Sequence, residues 1–176
     1  MSGEVALVPA SPADISLLAN LLELYVHDLS ETFQVAPGED GRFGYERLPL
    51  YFSEPERRSP FLIRFRGCIA GFAFVTRGSP MSDDPEALDV AEFFVLRGYR
   101  RFGVGRSAAR ELWDRLPGSW VVRVSEGNRA GIPFWDAIIR EYTSGSYTAT
   151  QRPGAPHPWR VFTFKSGAPR RQGETS

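Results

Sequence analysis

The chain has 176 residues, of which 42% are hydrophobic and 24% are charged. This suits one globular domain with a single core and excludes collagen-like, coiled-coil and wholly disordered proteins. Basic and acidic residues both number 21, so the net charge is zero, and we expect neither nucleic acid nor a membrane surface as a partner. Cys68 is the only cysteine. Because no signal peptide or membrane-spanning run is apparent either, we expect a cytoplasmic protein.

The first fifty residues predict a weak strand followed by helices. Alternation over residues 4–8 favours the strand. Ser11 followed by Pro12 marks the start of a helix, whose apolar spacing continues to about Leu29. A loop rich in glycine and proline follows, and residues 44–52 predict a short aromatic helix.

Strands and helices alternate in the rest of the chain. Two apolar runs on either side of Gly67 predict an antiparallel hairpin. The predicted strands are 61–65, 69–75, 89–96, 120–124, 147–150 and 159–164, and the predicted helices are 104–116 and 130–142. This order predicts an α/β fold with a mixed central sheet flanked by helices. We expect one domain over residues 1–165 and a disordered polar tail over residues 166–176.

The segment between the strand 89–96 and the following helix predicts a phosphate-binding loop. Gly103 and Gly105 let the backbone turn tightly, so that several amides and the positive end of the helix dipole face one point. Arginine side chains match phosphate oxygens well. The alternative is that the two glycines only permit close packing of helix on strand. The predicted loop consists of Arg100, Arg101, Phe102, Gly103, Val104, Gly105, Arg106 and Ser107.

A dinucleotide-dependent oxidoreductase is a less favoured alternative. Residues 103–108 also match the pattern G-x-G-x-x-A, and Glu126 follows at about the expected distance of ~20 residues. However, several residues separate Gly103 from the preceding strand. In addition, too little chain follows Glu126 to build the second half of a dinucleotide-binding fold.

The same loop resembles the acyl-CoA pyrophosphate loop of the GNAT family of N-acetyltransferases, whose pattern is Gln/Arg-x-x-Gly-x-Gly/Ala. In this sequence the pattern runs from Arg100 to Gly105. The preceding strand carries an acid, Glu92, and a later helix begins near Asn128 and contains Trp135, which is also similar to the family.

The resemblance implies a single-domain GNAT-like fold and transfer of an acetyl group from acetyl-CoA to a primary amine by direct attack in a ternary complex. It implies that the Arg100 to Ser107 loop binds the pyrophosphate. The pantetheine arm would contact Asn128, Trp135 and the backbone amides near Phe94 and Val95, and those amides would also stabilise the oxyanion.

Glu92 is the candidate general base. A primary amine has a pKa of about 10.4, so deprotonation at pH 7 costs roughly 4–5 kcal/mol and requires a base or a water relay. Alternation places Glu92 on one strand face with Val90 and Phe94, where a carboxylate is either paired, facing a cleft, or raised in pKa. The alternative is a structural ion pair with an arginine.

Trp135 departs from the family pattern. The family commonly has a tyrosine at this position, which protonates the leaving thiolate, whereas indole has no useful acidity. Tyr142 or Tyr147 is an alternative proton donor. Because a thiol has a pKa of about 8.5, the thiolate can also leave without a proton donor from the protein. The missing tyrosine favours a second candidate function, a non-catalytic CoA-binding module of the same fold.

The N-terminal helices are expected to bind the amine. Tyr25, Asp28 and Tyr45 combine aromatic rings with a carboxylate, which suits a cationic small-molecule or peptide amine. The alternative is a solvated helix end beside aromatic core residues. With only His27 and His157, we expect no histidine-based metal site. Exposed edges of the closing strands suggest a homodimer.

Overall fold

The computed structural model describes residues 4–167, which form a mixed sheet with helices on both faces. The helices are α1 Ile15–Phe33, α2 Leu50–Ser53, α3 Val104–Arg115 and α4 Gly131–Thr143. The strands are β1 Val5–Pro9, β2 Arg58–Phe65, β3 Cys68–Arg77, β4 Leu88–Val95, β5 Gly118–Ser125, β6 Tyr147–Arg152 and β7 Trp159–Ser166.

The strands lie in the order β1-β2-β3-β4-β5-β7-β6. Within the described residues, β4 and β5 are the only parallel neighbours, and all other pairs are antiparallel. The α/β prediction with a mixed sheet is therefore confirmed. The dinucleotide-binding alternative is wrong, because that fold requires a mostly parallel sheet. Glu126 accepts a hydrogen bond from Arg160 Nε at 3.0 Å instead.

Apolar side chains from alternate strand positions form a core on each face of the sheet. The face under α3 and α4 buries Trp113 and Ile139, which have no exposed surface. The face under α1 and α2 buries Leu18, Phe72 and Phe74. These two layers fix the N-terminal helix on one side of β4 and the later helices on the other.

The β2–β3 hairpin confirms the predicted turn at Gly67. Arg66 and Gly67 connect the strands with φ values of 51° and 80°. Two successive positive φ values are typical of the tight turns whose twist matches that of the strands. Arg66 is held outside the turn by an ion pair of 2.8 Å with Glu4.

Some predicted boundaries are wrong for identifiable reasons. Helix α1 continues to Phe33, because the Phe33 ring packs 5.9 Å from that of Trp159. The predicted helix 44–52 is reduced to α2, since Gly44 has a φ of 68°. Ser166 belongs to β7 rather than to a tail, and its hydroxyl accepts a hydrogen bond from Trp120 Nε1 at 3.0 Å. The rest of the predicted tail, from residue 168, lies outside the described residues.

Candidate active site

Strand β4 contains a bulge next to Glu92. Glu92 pairs with Phe74 and Val90 pairs with Val75, so Ala91 has no partner residue on β3. The extra residue interrupts the alternation of side chains. Val90 packs into the core under α3 and α4, whereas Phe94 packs into the core under α1. The prediction that Glu92 shares one face with both is therefore wrong for Val90.

A gap opens between β4 and β5 beyond the bulge. The parallel pairing covers Leu88–Val90 of β4 and residues 120–122 of β5, and no register is present farther along. A cavity of about 340 Å³ lies at this gap. Its lining includes Glu92, Phe93, Arg123, Val124, Asn128 and Trp135.

The β3–β4 register determines which backbone amides of β4 face this gap. Leu96 N donates to Ala70 O at 2.8 Å, across β3. Alternation then directs the Phe94 amide toward β3 as well, and the amides of Phe93 and Val95 away from it. Val95 O faces the same way and accepts from Arg100 Nε at 2.8 Å. Phe93 therefore replaces Phe94 in the predicted pair of amides.

Two tyrosine hydroxyls hold the Glu92 carboxylate. Tyr25 OH from α1 donates to Oε2 at 2.6 Å, and Tyr45 OH from the following loop donates to Oε1 at 2.8 Å. The Tyr25 ring is fixed by edge contacts with Phe72 and Phe94, at 5.6 and 5.7 Å. Each carboxylate oxygen keeps a second lone-pair site, so Glu92 can still accept a proton.

Burial controls the ionisation of this group of side chains. It raises the pKa of Glu92 above its ordinary value of 4.5, and the two tyrosine hydrogen bonds only partly oppose the effect. Burial and the adjacent Glu92 charge raise the pKa of Tyr25 and Tyr45 well above the usual range, and that of Tyr51 to about 12. At neutral pH the tyrosines are neutral donors beside a carboxylate that is more basic than usual.

Asp28, a predicted acceptor-binding residue, lies elsewhere. Its two oxygens accept from Arg97 at 2.8 Å and from Arg100 at 2.5 Å. Partial burial would raise the pKa of Asp28, but the hydrogen bonds from Arg100 and Arg97 outweigh it and lower the pKa. Asp28 thus connects the end of α1 to the loop before α3, and the structure does not bring it to Glu92.

The loop before α3 presents backbone amides. Arg101 and Gly103 have left-handed φ values of 68° and 78°. The first hydrogen bond of the helix runs from Ser107 N to Gly103 O at 2.9 Å. The amides of Val104, Gly105 and Arg106 precede it and have no helical acceptor, which is the usual arrangement of an anion-binding helix start.

Glycine is required at positions 103 and 105 for different physical reasons. Gly103 has a positive φ, which residues with a side chain rarely adopt. A Cβ on Gly105 would lie 3.0 Å from the Phe134 ring of α4. The close-packing alternative therefore explains Gly105, whereas Gly103 shapes the loop itself.

Two of the three arginines in the loop are already paired with carboxylates and are less available to bind an anion. Arg100 is bound to Asp28, and Arg106 forms an ion pair with Glu141 at 2.8 Å. Across residues 4–167, Arg101 has no hydrogen-bond or ion-pair partner and is the arginine of this loop available to a ligand. Phe102 is 68% exposed and stacks on Phe65. Val104 is buried and Ser107 is exposed.

Asn128 and Trp135 line the gap and also have structural roles. Asn128 Oδ1 accepts from the backbone N of Gly131, the first residue of α4, at 2.9 Å. The Trp135 indole packs edge-on against Phe93 at 5.0 Å. Tyr142 and Tyr147 donate to Asp114 and Asp136, at 2.8 and 2.6 Å, and neither lines this cavity.

Sequence reasoning missed Arg123, which lies on β5 at the gap. Its Nε donates to Asp89 Oδ2 at 2.8 Å, and Asp89 is fully buried. Ser79 donates to the same oxygen. The only available signal was a charged residue within the apolar run of residues 121–124.

The described part of the chain contains no cluster of three histidine, cysteine, aspartate or glutamate side chains suited to a metal ion. None of the helices within residues 4–167 combines the length and apolar character that a membrane span requires.

Several solved structures have a similar fold. An acetyltransferase from Thermus thermophilus is similar, with a TM-score of 0.63 and 17% identity over 92% of this chain and 97% of the other. The Escherichia coli ribosomal-protein-S18-alanine N-acetyltransferase matches with a TM-score of 0.61 and 15% identity, covering 97% and 99%. Vibrio cholerae spermidine N-acetyltransferase, solved with CoA and spermine, has a TM-score of 0.62 and 9% identity over 93% of this chain and 96% of the other.

At these identities the solved structures show a shared fold. No sequence among the curated proteins matches the chain significantly. The model of the Acetyltransferase (GNAT) family matches residues 18–137, which include both Glu92 and the loop before α3. The chain therefore belongs to the GNAT acetyltransferase family.

Proposed function

We propose that this protein transfers an acetyl group from acetyl-CoA to a primary amine by direct attack, with Glu92 accepting the amine proton. The observation that carries the proposal is the Glu92 carboxylate, held by Tyr25 and Tyr45 at the gap between β4 and β5. In the reaction the amine nitrogen bonds to the thioester carbonyl carbon, the carbon–sulfur bond breaks, and the amine proton moves to Glu92 directly or through water.

The raised pKa of Glu92 suits it to this role. Deprotonating the ammonium costs roughly 4–5 kcal/mol at pH 7, so a base closer in pKa to the operating pH transfers the proton more efficiently. Burial produces this change, and the two tyrosines keep the carboxylate oriented. Because the tyrosines are neutral donors, they do not compete with Glu92 for the proton.

Backbone amides would supply the oxyanion site and bind the cosubstrate. The Phe93 and Val95 amides face the gap, and one well-placed donor of this kind contributes roughly 3–4 kcal/mol to lowering a barrier. The free amides of residues 104–106 and the Arg101 side chain would bind the pyrophosphate of acetyl-CoA. Asn128 and Trp135, which line the gap, would contact the pantetheine arm.

The second candidate function is CoA binding without catalysis. The observation in its favour is Trp135, an indole that cannot protonate the leaving thiolate, together with the absence of Tyr142 and Tyr147 from the gap lining. The CoA thiolate has an ordinary pKa of about 8.5, so it can leave and take its proton from solvent. We therefore favour the transferase.

The test combines calorimetric titration of acetyl-CoA with measurement of thiol release in the presence of an amine panel. Gly103→Glu places a negative charge in the loop and should abolish binding. Gly145→Glu is the matched control, because Gly145 has a similar φ of 84° and open space around it, but lies after α4. Both variants are first checked for cooperative thermal unfolding.

Binding that is lost only in Gly103→Glu, with thiol release by the wild type, supports the transferase. Binding without thiol release for any amine supports the non-catalytic module. Absence of acetyl-CoA binding by the wild type contradicts both functions.

A further inference from the structure

A second cavity, of about 430 Å³, meets the first at Glu92. Five residues line both cavities: Tyr45, Arg47, Ala91, Glu92 and Arg123. We call the second one the arginine pocket, because its lining includes Arg47, Arg57, Arg58, Arg77 and Arg123. The acidic side chains that line it are Glu54 and Glu92. An amine that reaches Glu92 from this side therefore lies in a cationic environment.

Only part of this positive charge is neutralised within the chain. Three of the arginines form ion pairs of 2.8 Å: Arg58 with Glu54, Arg77 with Glu86, and Arg123 with Asp89. Over residues 4–167, the side chains of Arg47 and Arg57 form no ion pair or hydrogen bond. Arg47 interacts with Glu92 through charge alone, so both guanidinium groups keep all their hydrogen-bond donors for an external anion at the lining of a cavity.

Arg123 adds a fixed hydrogen-bond donor to this site. Its side chain is 20% exposed, and its Nε is held by the fully buried Asp89. The guanidinium also lies 5.8 Å from the centre of the Trp159 ring. Its two terminal nitrogens have no acceptor among the described residues. A guanidinium fixed through Nε offers a planar pair of donors that matches carboxylate or phosphate oxygens.

We propose that the acceptor is a small primary amine that carries a carboxylate or phosphate group. Its ammonium pairs with Glu92, and its oxyanion binds Arg47, Arg57 and Arg123. The inference rests on the proposed function, since it identifies the acceptor class for the same site. It replaces the expected recognition of a simple cation, because the Asp28 carboxylate is already bound by Arg97 and Arg100.

Charge complementarity supports this class over a polyamine. A molecule with one ammonium and one oxyanion matches the single carboxylate of Glu92 and the adjacent arginines. A polyamine would place further positive charges against Arg47 and Arg57, and such like-charge contacts disfavour a ligand. A cavity of about 430 Å³ accommodates a molecule of amino-acid size.

The test measures thiol release from acetyl-CoA with matched pairs of amines. Each proteinogenic amino acid is compared with its decarboxylated amine, and phosphoethanolamine is compared with ethanolamine. We expect kcat/KM at least tenfold higher for the anionic member of the best pair. The two kinds of pair distinguish a carboxylate from a phosphate. If the members without a carboxylate or phosphate, or spermidine, are better acceptors throughout, the proposal is wrong and the proposed function stands.

Variants locate the effect in the arginine pocket. The double variant Arg47→Gln/Arg57→Gln should raise KM at least tenfold for the member that carries the carboxylate or phosphate and less than twofold for the amine that lacks it. Arg57→Lys, which keeps the charge, should retain most of the affinity. The control is Arg64→Gln on β2, whose side chain binds Gly67 O and lines neither cavity. An equal KM effect on both members would contradict the proposal.

A direct binding measurement separates the two failures. Phosphoethanolamine and the amino acids are titrated into the protein with and without saturating CoA. If acetyl-CoA does not bind but an anionic amine does, and Arg47→Gln/Arg57→Gln abolishes that binding, the proposed function fails and the anion site stands. If acetyl-CoA binds and no anionic amine binds in either state, the anion site is wrong.

Discussion

The Tyr25 hydroxyl donates to Glu92 Oε2 at 2.6 Å, across 67 positions of the sequence. This bond joins the middle of α1 to the bulge of β4, so the N-terminal helix orients the candidate base. It also links the two halves of the site chemically, because a hydrogen bond to a carboxylate stabilises the charged form and lowers its pKa.

Tyr25→Phe should therefore raise the pKa of Glu92 further. The acid limb of the kcat/KM profile is expected to move to higher pH, and kcat at pH 7 to fall about tenfold, the effect of losing roughly 1.4 kcal/mol of orientation and charge stabilisation. Tyr147→Phe is the matched control, because its hydroxyl also donates to a carboxylate at 2.6 Å, that of Asp136, outside the gap. An unchanged acid limb in Tyr25→Phe would contradict the orienting role.

Glu92→Gln tests the base directly. Removal of a general base costs about 100-fold to 10,000-fold in rate. We expect a loss in this range at pH 7, with acetyl-CoA affinity unchanged in calorimetry, because Glu92 is not part of the pyrophosphate loop. Glu4→Gln, whose carboxylate is 42% exposed in an ion pair with Arg66 outside both cavities, should keep wild-type activity. Wild-type turnover and an unchanged pH profile in Glu92→Gln would remove Glu92 from the mechanism.

The same variant should change how stability depends on pH. Burial raises the pKa of Glu92 in the folded state above its ordinary value of 4.5. A group with a raised folded pKa favours folding below the unfolded value, and this contribution is lost as pH rises through the folded pKa. The free energy of unfolding of the wild type should therefore fall relative to Glu92→Gln from about pH 4.5 upward. Urea denaturation at several pH values measures the difference, and a constant difference would contradict the shift.

Several parts of the fold could be predicted from local patterns. The core strands and the helices α3 and α4 lie within a few residues of their predicted positions, because each must bury one apolar face. The turn at Gly67 could be predicted from its residue type. The helix over 44–52 could not, since the left-handed Gly44 delays the helix to Leu50.

The site was less accessible to sequence reasoning. The sequence indicates Tyr25 and Tyr45 as acceptor-binding residues and Glu92 as the base. No local sequence pattern predicts that the two hydroxyls bind the carboxylate. No residue type within β4 predicts the bulge at Ala91. The bulge places Val90 on the opposite face of the sheet from the predicted one. The partners of charged side chains are set by tertiary contacts. Asp28 meets Arg100 across 72 positions, so its apparent freedom to bind an amine disappears on folding.

Asp28→Asn distinguishes the predicted acceptor role from the observed one. If Asp28 only holds Arg97 and Arg100, the variant releases two positive charges beside the pyrophosphate loop. We then expect KM for acetyl-CoA to fall severalfold at low salt and KM for the amine to stay unchanged. Stability should change by about 1 kcal/mol or less, because both arginines are largely exposed. A raised KM for the amine alone would restore the original assignment.

Gly105→Ala tests whether this glycine serves packing. The new methyl group would lie 3.0 Å from the Phe134 ring, so α3 and α4 cannot keep their present separation without a shift of that ring. Overpacking of this kind costs about 1–3 kcal/mol, and Phe134→Leu should recover part of the loss by vacating the space. Urea denaturation of the two single variants and the double variant gives the coupling. Strictly additive changes in the free energy of unfolding would show that Gly105 is required for another reason, such as close approach of a phosphate to the loop.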